Sequence, residues 1–103
     1  YLAYEITDLK IQLKDLAGAR TNIEYGLANV KDDMKYTFYE RQQPYEASLK
    51  AAFTYLKALV IYNEDNKNNI ESAIATLNLA LAIDPNFNLA KISKDALLSK
   101  TKE

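Results

Sequence analysis

The chain has 103 residues, of which 49% are hydrophobic and 26% charged, the balance of one small globular domain. Thirteen basic and fourteen acidic side chains give a net charge of −1, so the composition indicates no basic surface for nucleic acid. Cysteine and histidine are absent. Disulfides, thiol nucleophiles, zinc sites of the usual ligand set and histidine general bases are therefore excluded within this chain.

No apolar run approaches the roughly 20 residues of a membrane span. The longest candidate, residues 51–62, is interrupted by Thr54 and Lys57. The chain begins at Tyr1 and shows no signal-peptide pattern, so we expect a segment excised from a longer chain, with any targeting signal outside it. Its high content of Asn, Lys, Ile and Tyr is typical of proteins from AT-rich genomes, for example bacterial ones. The sequence predicts no compartment.

Only two glycines and two prolines interrupt a strong three-four periodicity, which predicts an all-α fold of about five helices. The first helix is predicted from an apolar stripe, and Gly18 is its expected stop. Thr21 and Glu24 then match a capping box that starts a second helix, which is expected to end near residues 42–43 because Pro44 follows. The two stripes are Leu2, Ile6, Leu9, Leu13 and Leu16, and then Ile23, Leu27, Val30 and Met34.

The same four-three spacing continues past Gly18 if Arg20 is tolerated on the stripe. One long helix over residues 2–34 would satisfy it too. The coincidence of Gly18 with a capping box favours a break, and both alternatives stay open at this point.

Apolar periodicity and turn residues predict three further helices in the second half of the chain. Pro44 suits the first turn of helix three, whose stripe is Leu49, Phe53, Leu56 and Val60. After a polar turn over residues 63–69, Asn68 and Glu71 match a second capping box, and helix four is expected to run to about Ile83. A last helix follows the turn at residues 84–87. The predicted organisation is one domain with a first hairpin over residues 1–43, a second over 44–85 and a capping helix over 86–103.

An internal repeat supports two stacked hairpins. Residues 22–30 align with residues 69–77 at a shift of 47, with four of nine positions identical. The same shift superimposes the apolar stripes of helices one and three. Gly26 and Ala73 become equivalent, and we expect these small residues to let the two helices of each hairpin approach closely.

Residues 69–86 resemble a tetratricopeptide repeat. Ala73, Leu77, Ala80 and Pro85 stand at the spacing of that family's small, large, small and proline positions, and residues 79–86 read like its exit turn. The unit is longer than the family's roughly 34 residues, the first-helix signature is matched only loosely, and the first unit lacks the exit proline.

The resemblance implies a groove formed by the first helix of each hairpin, in which a partner peptide or helix binds. Helices one and three would then supply the binding residues. These candidates are Tyr4, Lys10 and Lys14 of helix one, and Lys50, Thr54, Lys57, Ile61 and Glu64 of helix three.

A second candidate surface is the aromatic corner around residues 41–44. Tyrosine and arginine are the residue types that anchor protein interfaces, whereas the same rings also suit packing of the corner between helices. The candidates are Tyr36, Tyr39, Arg41 and Tyr45, beside Phe38.

Other constellations favour structural roles. The acid pairs at residues 32–33 and 64–65 lack the ligand spacing of a calcium loop and are expected to be solvated. The lysines of the last helix are expected on a solvated face. No glycine-rich phosphate loop is present, so we predict neither an enzyme nor a cofactor.

We therefore expect a non-enzymatic scaffold that binds another protein through the helical groove or the aromatic corner. Two alternatives stay open: a structural or homo-oligomerising domain, favoured by the heptad-like stripe over residues 2–34, and an accessory domain of a larger protein.

Overall fold

The computed structural model describes residues 2–31, 34–40 and 43–101, without the side chains at 39, 40 and 43–45. The five-helix, helical-hairpin architecture predicted from the sequence is confirmed within these residues. A short two-stranded sheet accompanies the helices. The elements are α1 (Leu2–Gln12), α2 (Leu16–Asn29), β1 (Lys35–Glu40), β2 (Gln43–Ser48), α3 (Leu49–Glu64), α4 (Ile70–Ile83) and α5 (Asn88–Thr101).

Helix α3 lies at the centre of the fold. It packs against α1, α2, α4 and both strands, most extensively against α4, while α5 packs on α4. Three alanines of α3 (51, 52 and 58) are buried, which allows neighbouring backbones to approach, and its larger side chains fill the core between them. Phe53 and Leu56 are fully buried.

Helices α1 and α2 are separate, which decides between the two alternatives, but the break lies earlier than predicted. Lys14 has a positive φ of 65° and donates its amide to Ile11, while the Asp15 amide reaches Lys10, the bond pattern of a Schellman motif. The Asp15 side chain then accepts from the Gly18 amide and caps α2. Gly18 as a stop and Thr21 as a cap were therefore wrong predictions. The Thr21 hydroxyl instead bonds the Ala17 carbonyl within α2.

The predicted continuation of the second helix to residues 42–43 is also wrong. Helix α2 ends at Asn29, and residues 35–40 and 43 belong to two antiparallel strands. The ladder pairs Tyr36 with Ala47 and Phe38 with Tyr45. Along β1, exposed Lys35 and Thr37 alternate with the more buried Tyr36 and Phe38, the period-two pattern of a strand with one face in the core.

The start of α3 is displaced accordingly. Pro44 lies in β2 and not in the first turn of a helix. Helix α3 begins after Ser48, whose side chain accepts from the Ala51 amide and caps the helix.

The turn before α4 is held by Asp65 and not by the predicted Asn68–Glu71 capping box. The Asp65 carboxylate accepts from the amides of Lys67 and Asn68 and from the Asn68 side chain. The N-cap residue Asn69 makes no capping bond with its side chain, which donates to the Ile61 carbonyl of α3.

The turn after α4 is hydrogen-bonded to the residue that precedes α3. One oxygen of the Asp84 carboxylate accepts from the Ser48 amide at 2.8 Å, and the other accepts from the Asn86 amide at 3.1 Å. The start of α3 is thereby fixed to the turn between α4 and α5.

Gly26 allows α2 to lie directly against the Phe53 ring of α3. A Cβ atom at this position would lie 2.7 Å from two ring carbons of Phe53, so only glycine fits. The sequence predicted that Gly26 allows a close approach within the first hairpin, whereas in the structure Gly26 faces α3, across the two hairpins.

We expect Gly26→Ala to lower the free energy of unfolding by about 1–3 kcal/mol, because overpacking against the buried Phe53 ring outweighs the better helix propensity of alanine. Urea denaturation followed by circular dichroism measures the change. The double variant Gly26→Ala/Phe53→Leu is the control, since a smaller side chain at 53 relieves the clash. A cost of the double variant equal to the sum of the single costs would argue against this contact.

We expect Asp84→Ala to cost about 1–3 kcal/mol of unfolding free energy, because the amides of Ser48 and Asn86 lose their acceptor. Asp84→Asn keeps one acceptor oxygen and should cost less. Asp95→Ala removes the same charge from an exposed site on α5 and should change stability by less than about 0.5 kcal/mol. Equal losses for Asp84→Ala and Asp95→Ala would contradict the assigned role.

Candidate functional site

The apolar stripe from which the first helix is predicted faces solvent, although such a stripe usually faces the core. Leu2 and Leu13 are 70% exposed, Leu9 53% and Ile6 41%. The opposite face of α1 is the buried one, and it carries Tyr4, Thr7 and Ile11. Tyr25 of α2 is also exposed and lies beside Ile6, where both line a shallow depression between α1 and α2.

The internal repeat allows the exposed stripe of α1 to be compared with the equivalent positions of α3. At the shift of 47, the equivalents of the α1 stripe in α3 are Leu49, Phe53, Leu56 and Val60, all buried. Helix α2 contributes to their cover, since Gly26 contacts the Phe53 ring. Among the described residues, no helix covers the α1 stripe in the same way.

A groove runs along α3 between α2 and α4. Its main part has a volume of about 420 Å³. The walls are Leu27 of α2, Lys50, Thr54 and Lys57 of α3, and Thr76, Leu79, Ala82 and Ile83 of α4. A smaller depression of about 100 Å³ continues it beyond Leu27 and Lys57 towards Arg20 and Glu24.

The groove combines an apolar floor with cationic side chains. Leu79 is 60% exposed and Ile83 is 40% exposed, so both offer large apolar surface to a ligand. Lys50 and Lys57 stand two helical turns apart on α3, about 10 Å along the axis. The hydroxyls of Thr54 and Thr76 bond carbonyls of their own helices, so they leave the floor largely apolar.

The predicted groove of helices one and three is therefore only partly assembled. Lys50, Thr54 and Lys57 share one groove, but its described walls come from α2, α3 and α4 and not from α1. Tyr4 is buried in a cluster of rings, 4.8 Å from Tyr36 and 5.6 Å from Phe38 between ring centroids.

The remaining predicted groove residues link helices to one another. Lys14 donates to the Asn63 side chain at 2.9 Å, and Lys10 lies 3.5 Å from the Asn22 side chain. Glu64 forms an ion pair with Arg20 of α2. Ile61 is half-buried against the core. The contacts of Lys14 and Glu64 join the region around α1 and α2 to the end of α3, and that of Lys10 joins α1 to α2.

The predicted aromatic corner is described only in part. Tyr36 and Phe38 belong to an aromatic cluster with Tyr4, Phe53, Tyr55 and Phe87, which fits the packing interpretation for these two rings. The Tyr36 hydroxyl donates to Glu5. Arg41 and the side chains of Tyr39 and Tyr45 lie outside the described residues, as does the acid pair at 32–33.

A third depression, of about 200 Å³, lies between α3 and α5. It is lined mainly by apolar side chains, and Lys100 stands at its edge. The Lys100 ammonium donates to the Tyr62 hydroxyl at 2.7 Å and lies 5.2 Å from the centre of that ring. This lysine therefore binds α5 to α3 and is not simply solvated.

The shifted carboxyl groups have structural causes. Partial burial raises the pKa of Asp8, and the hydrogen bond from Gln12 opposes that shift. Hydrogen bonds, first from the Asn68 side chain and then from the amides of Asn68 and Lys67, lower the pKa of Asp65. Within the described residues, no three acidic side chains gather where they could hold a metal ion.

No helix in the described ranges is both long and apolar enough to cross a lipid bilayer. The chain matches no protein-family model, and it has no significant match among curated proteins or solved structures. The resemblance of residues 69–86 to a tetratricopeptide repeat therefore stays a prediction, as does the role of each candidate residue.

Neighbouring leucines of α4 provide a matched test of the groove. Because Leu79 is 60% exposed, we expect Leu79→Ala to change the free energy of unfolding by less than about 0.5 kcal/mol. Leu77 is 1% exposed, and Leu77→Ala should cost about 2–5 kcal/mol through the cavity it leaves. Urea denaturation of both variants checks the difference. A large loss for Leu79→Ala would mean that this side chain serves the core and not a ligand.

Proposed function

We propose that this chain is a non-enzymatic protein-binding domain whose groove along α3 receives a short amphipathic segment of another protein. The observation that carries the proposal is the exposed pair Leu79 and Ile83 opposite Lys50 and Lys57. Large apolar side chains left in solvent beside cationic groups mark a surface that gains free energy when it is covered.

The charges define the kind of segment. Two lysines, Arg20 and one acidic residue, Glu24, line the groove and its extension, so basic side chains outnumber acidic ones there. A ligand with carboxylates towards Lys57 and Lys50, and apolar side chains towards Leu79 and Ile83, complements this surface. A helical ligand of about 10 residues would span roughly 15 Å of the groove.

A random 12-residue peptide library displayed on phage tests the proposal. We expect selection to enrich peptides that combine Asp or Glu with large apolar residues. Isothermal titration calorimetry of a selected peptide should show at least about tenfold weaker binding to Leu79→Ala and to Lys57→Glu, and weaker binding of wild type at higher salt.

Two variants serve as controls. Lys91→Glu makes the same charge change on an exposed site of α5, and Leu9→Ser removes an apolar side chain from the α1 stripe. Both should bind the selected peptide as wild type does. Failure to enrich any such motif, or equal binding to wild type and Lys57→Glu, would overturn the groove as the binding site.

A second candidate function is self-association. The specific observation in its favour is the solvent-exposed stripe of α1, which is separate from the groove and differs from it chemically.

A further inference from the structure

The α1 stripe has the spacing of a coiled-coil seam. Leu2, Ile6, Leu9 and Leu13 follow one another at intervals of four, three and four residues, which places Ile6 and Leu13 at a positions and Leu2 and Leu9 at d positions. Leu13 follows the last residue of α1, but its amide still bonds the Leu9 carbonyl at 2.9 Å, so the seam extends to it. Ile6 at the first a position, with leucine at both d positions, favours two-stranded pairing.

The opposite face of the same helix is already occupied. Tyr4, Thr7 and Ile11 stand at the f and b positions of this heptad and are buried in the core of the domain. The exposed stripe is therefore not an alternative core face. It is a second apolar face on a helix whose orientation the domain has already fixed, so no ordering of the helix opposes its use.

The flanking charges select the partner and its direction. In this heptad Glu5 takes a g position and Lys10 the following e position. In a parallel pair of identical helices, each g side chain faces the next e side chain of the other helix, so Glu5 of each copy meets Lys10 of the other. Their present contacts, with the Tyr36 hydroxyl and with Asn22, lie at the two borders of the stripe and leave the seam open.

The size of the surface suits a weak dimer. Four apolar side chains at 41–70% exposure, with Tyr25 beside them, form a patch on the order of several hundred Å² on each copy. Two such faces approach the roughly 1,000 Å² that a specific interface requires. A two-fold axis parallel to α1 makes this contact self-complementary and closed.

We propose that the exposed α1 stripe is the interface of a parallel, two-fold symmetric homodimer, with a Leu2–Ile6–Leu9–Leu13 seam bordered by Glu5–Lys10 pairs between copies. The inference is independent of the groove, which lies along α3 between α2 and α4 and stays open in the dimer.

Sedimentation velocity over a series of protein concentrations tests the interface. We expect a monomer–dimer equilibrium that is half complete at a concentration on the order of 10–100 µM. Leu9→Lys places a charge in the centre of the seam and should weaken dimerisation by at least about tenfold. Leu79→Lys places the same charge in the groove, where it should leave the dimer unchanged while abolishing binding of the selected peptide.

Charge exchange tests the direction of the helices. Glu5→Lys and Lys10→Glu each set like charges against one another in the parallel dimer and should weaken it by roughly threefold to tenfold. The double variant Glu5→Lys/Lys10→Glu restores opposite charges and should recover the wild-type equilibrium. Circular dichroism checks that all variants are folded, because Glu5→Lys also loses the bond from Tyr36.

Several results would overturn the proposal. A monomer throughout the concentration series removes the dimer, and a dimer that persists in Leu9→Lys moves its interface elsewhere. Association that continues beyond two copies contradicts a closed interface. Failure of the double variant to recover contradicts the parallel arrangement. None of these outcomes alters peptide binding in the groove, which is measured separately.

Discussion

Burial of α3 against several neighbours is the constraint on which the rest of the structure depends. Its small residues admit adjacent helices, and its large ones require particular partners: the Phe53 ring fits only against a glycine, which α2 supplies at Gly26. An enclosed helix keeps few positions for polar side chains. The strip of α3 between α2 and α4 therefore carries its polar residues Lys50, Thr54 and Lys57. The groove follows directly from the way the core is packed.

The last two helices were predictable because their signals are local. Periodicity and turn chemistry between residues 70 and 101 agree with each other, and α4 and α5 form where the sequence indicates. The β-hairpin was missed because β1 is only six residues long, and its aromatic residues also satisfy a helical pattern. A tertiary contact favours the strand here, because Phe38 packs against Phe87, almost 50 residues away along the chain.

Periodicity identified the stripe of α1 but not the side of the helix that the core uses. The buried face includes Thr7, whose hydroxyl can be buried because it donates a hydrogen bond to the Ala3 carbonyl. When a helix has two apolar faces, periodicity alone predicts that the face with more large apolar residues is the buried one. For the groove, the spacing of Lys50, Thr54 and Lys57 predicts a shared face of α3, whereas its walls depend on how α2 and α4 pack.

From the sequence separation of the aromatic contacts we expect an order in which the chain folds. Helices α3 and α4 are joined by a short turn, so their contacts close with little loss of chain entropy. Tyr4 and Phe87 meet the other rings only after much longer loops have closed, and such non-local contacts form slowly. The α3–α4 pair can therefore act as a nucleus. Because Tyr4 near the start of the chain and Phe87 just before α5 both pack into the cluster, we expect the helices to unfold together and not one by one.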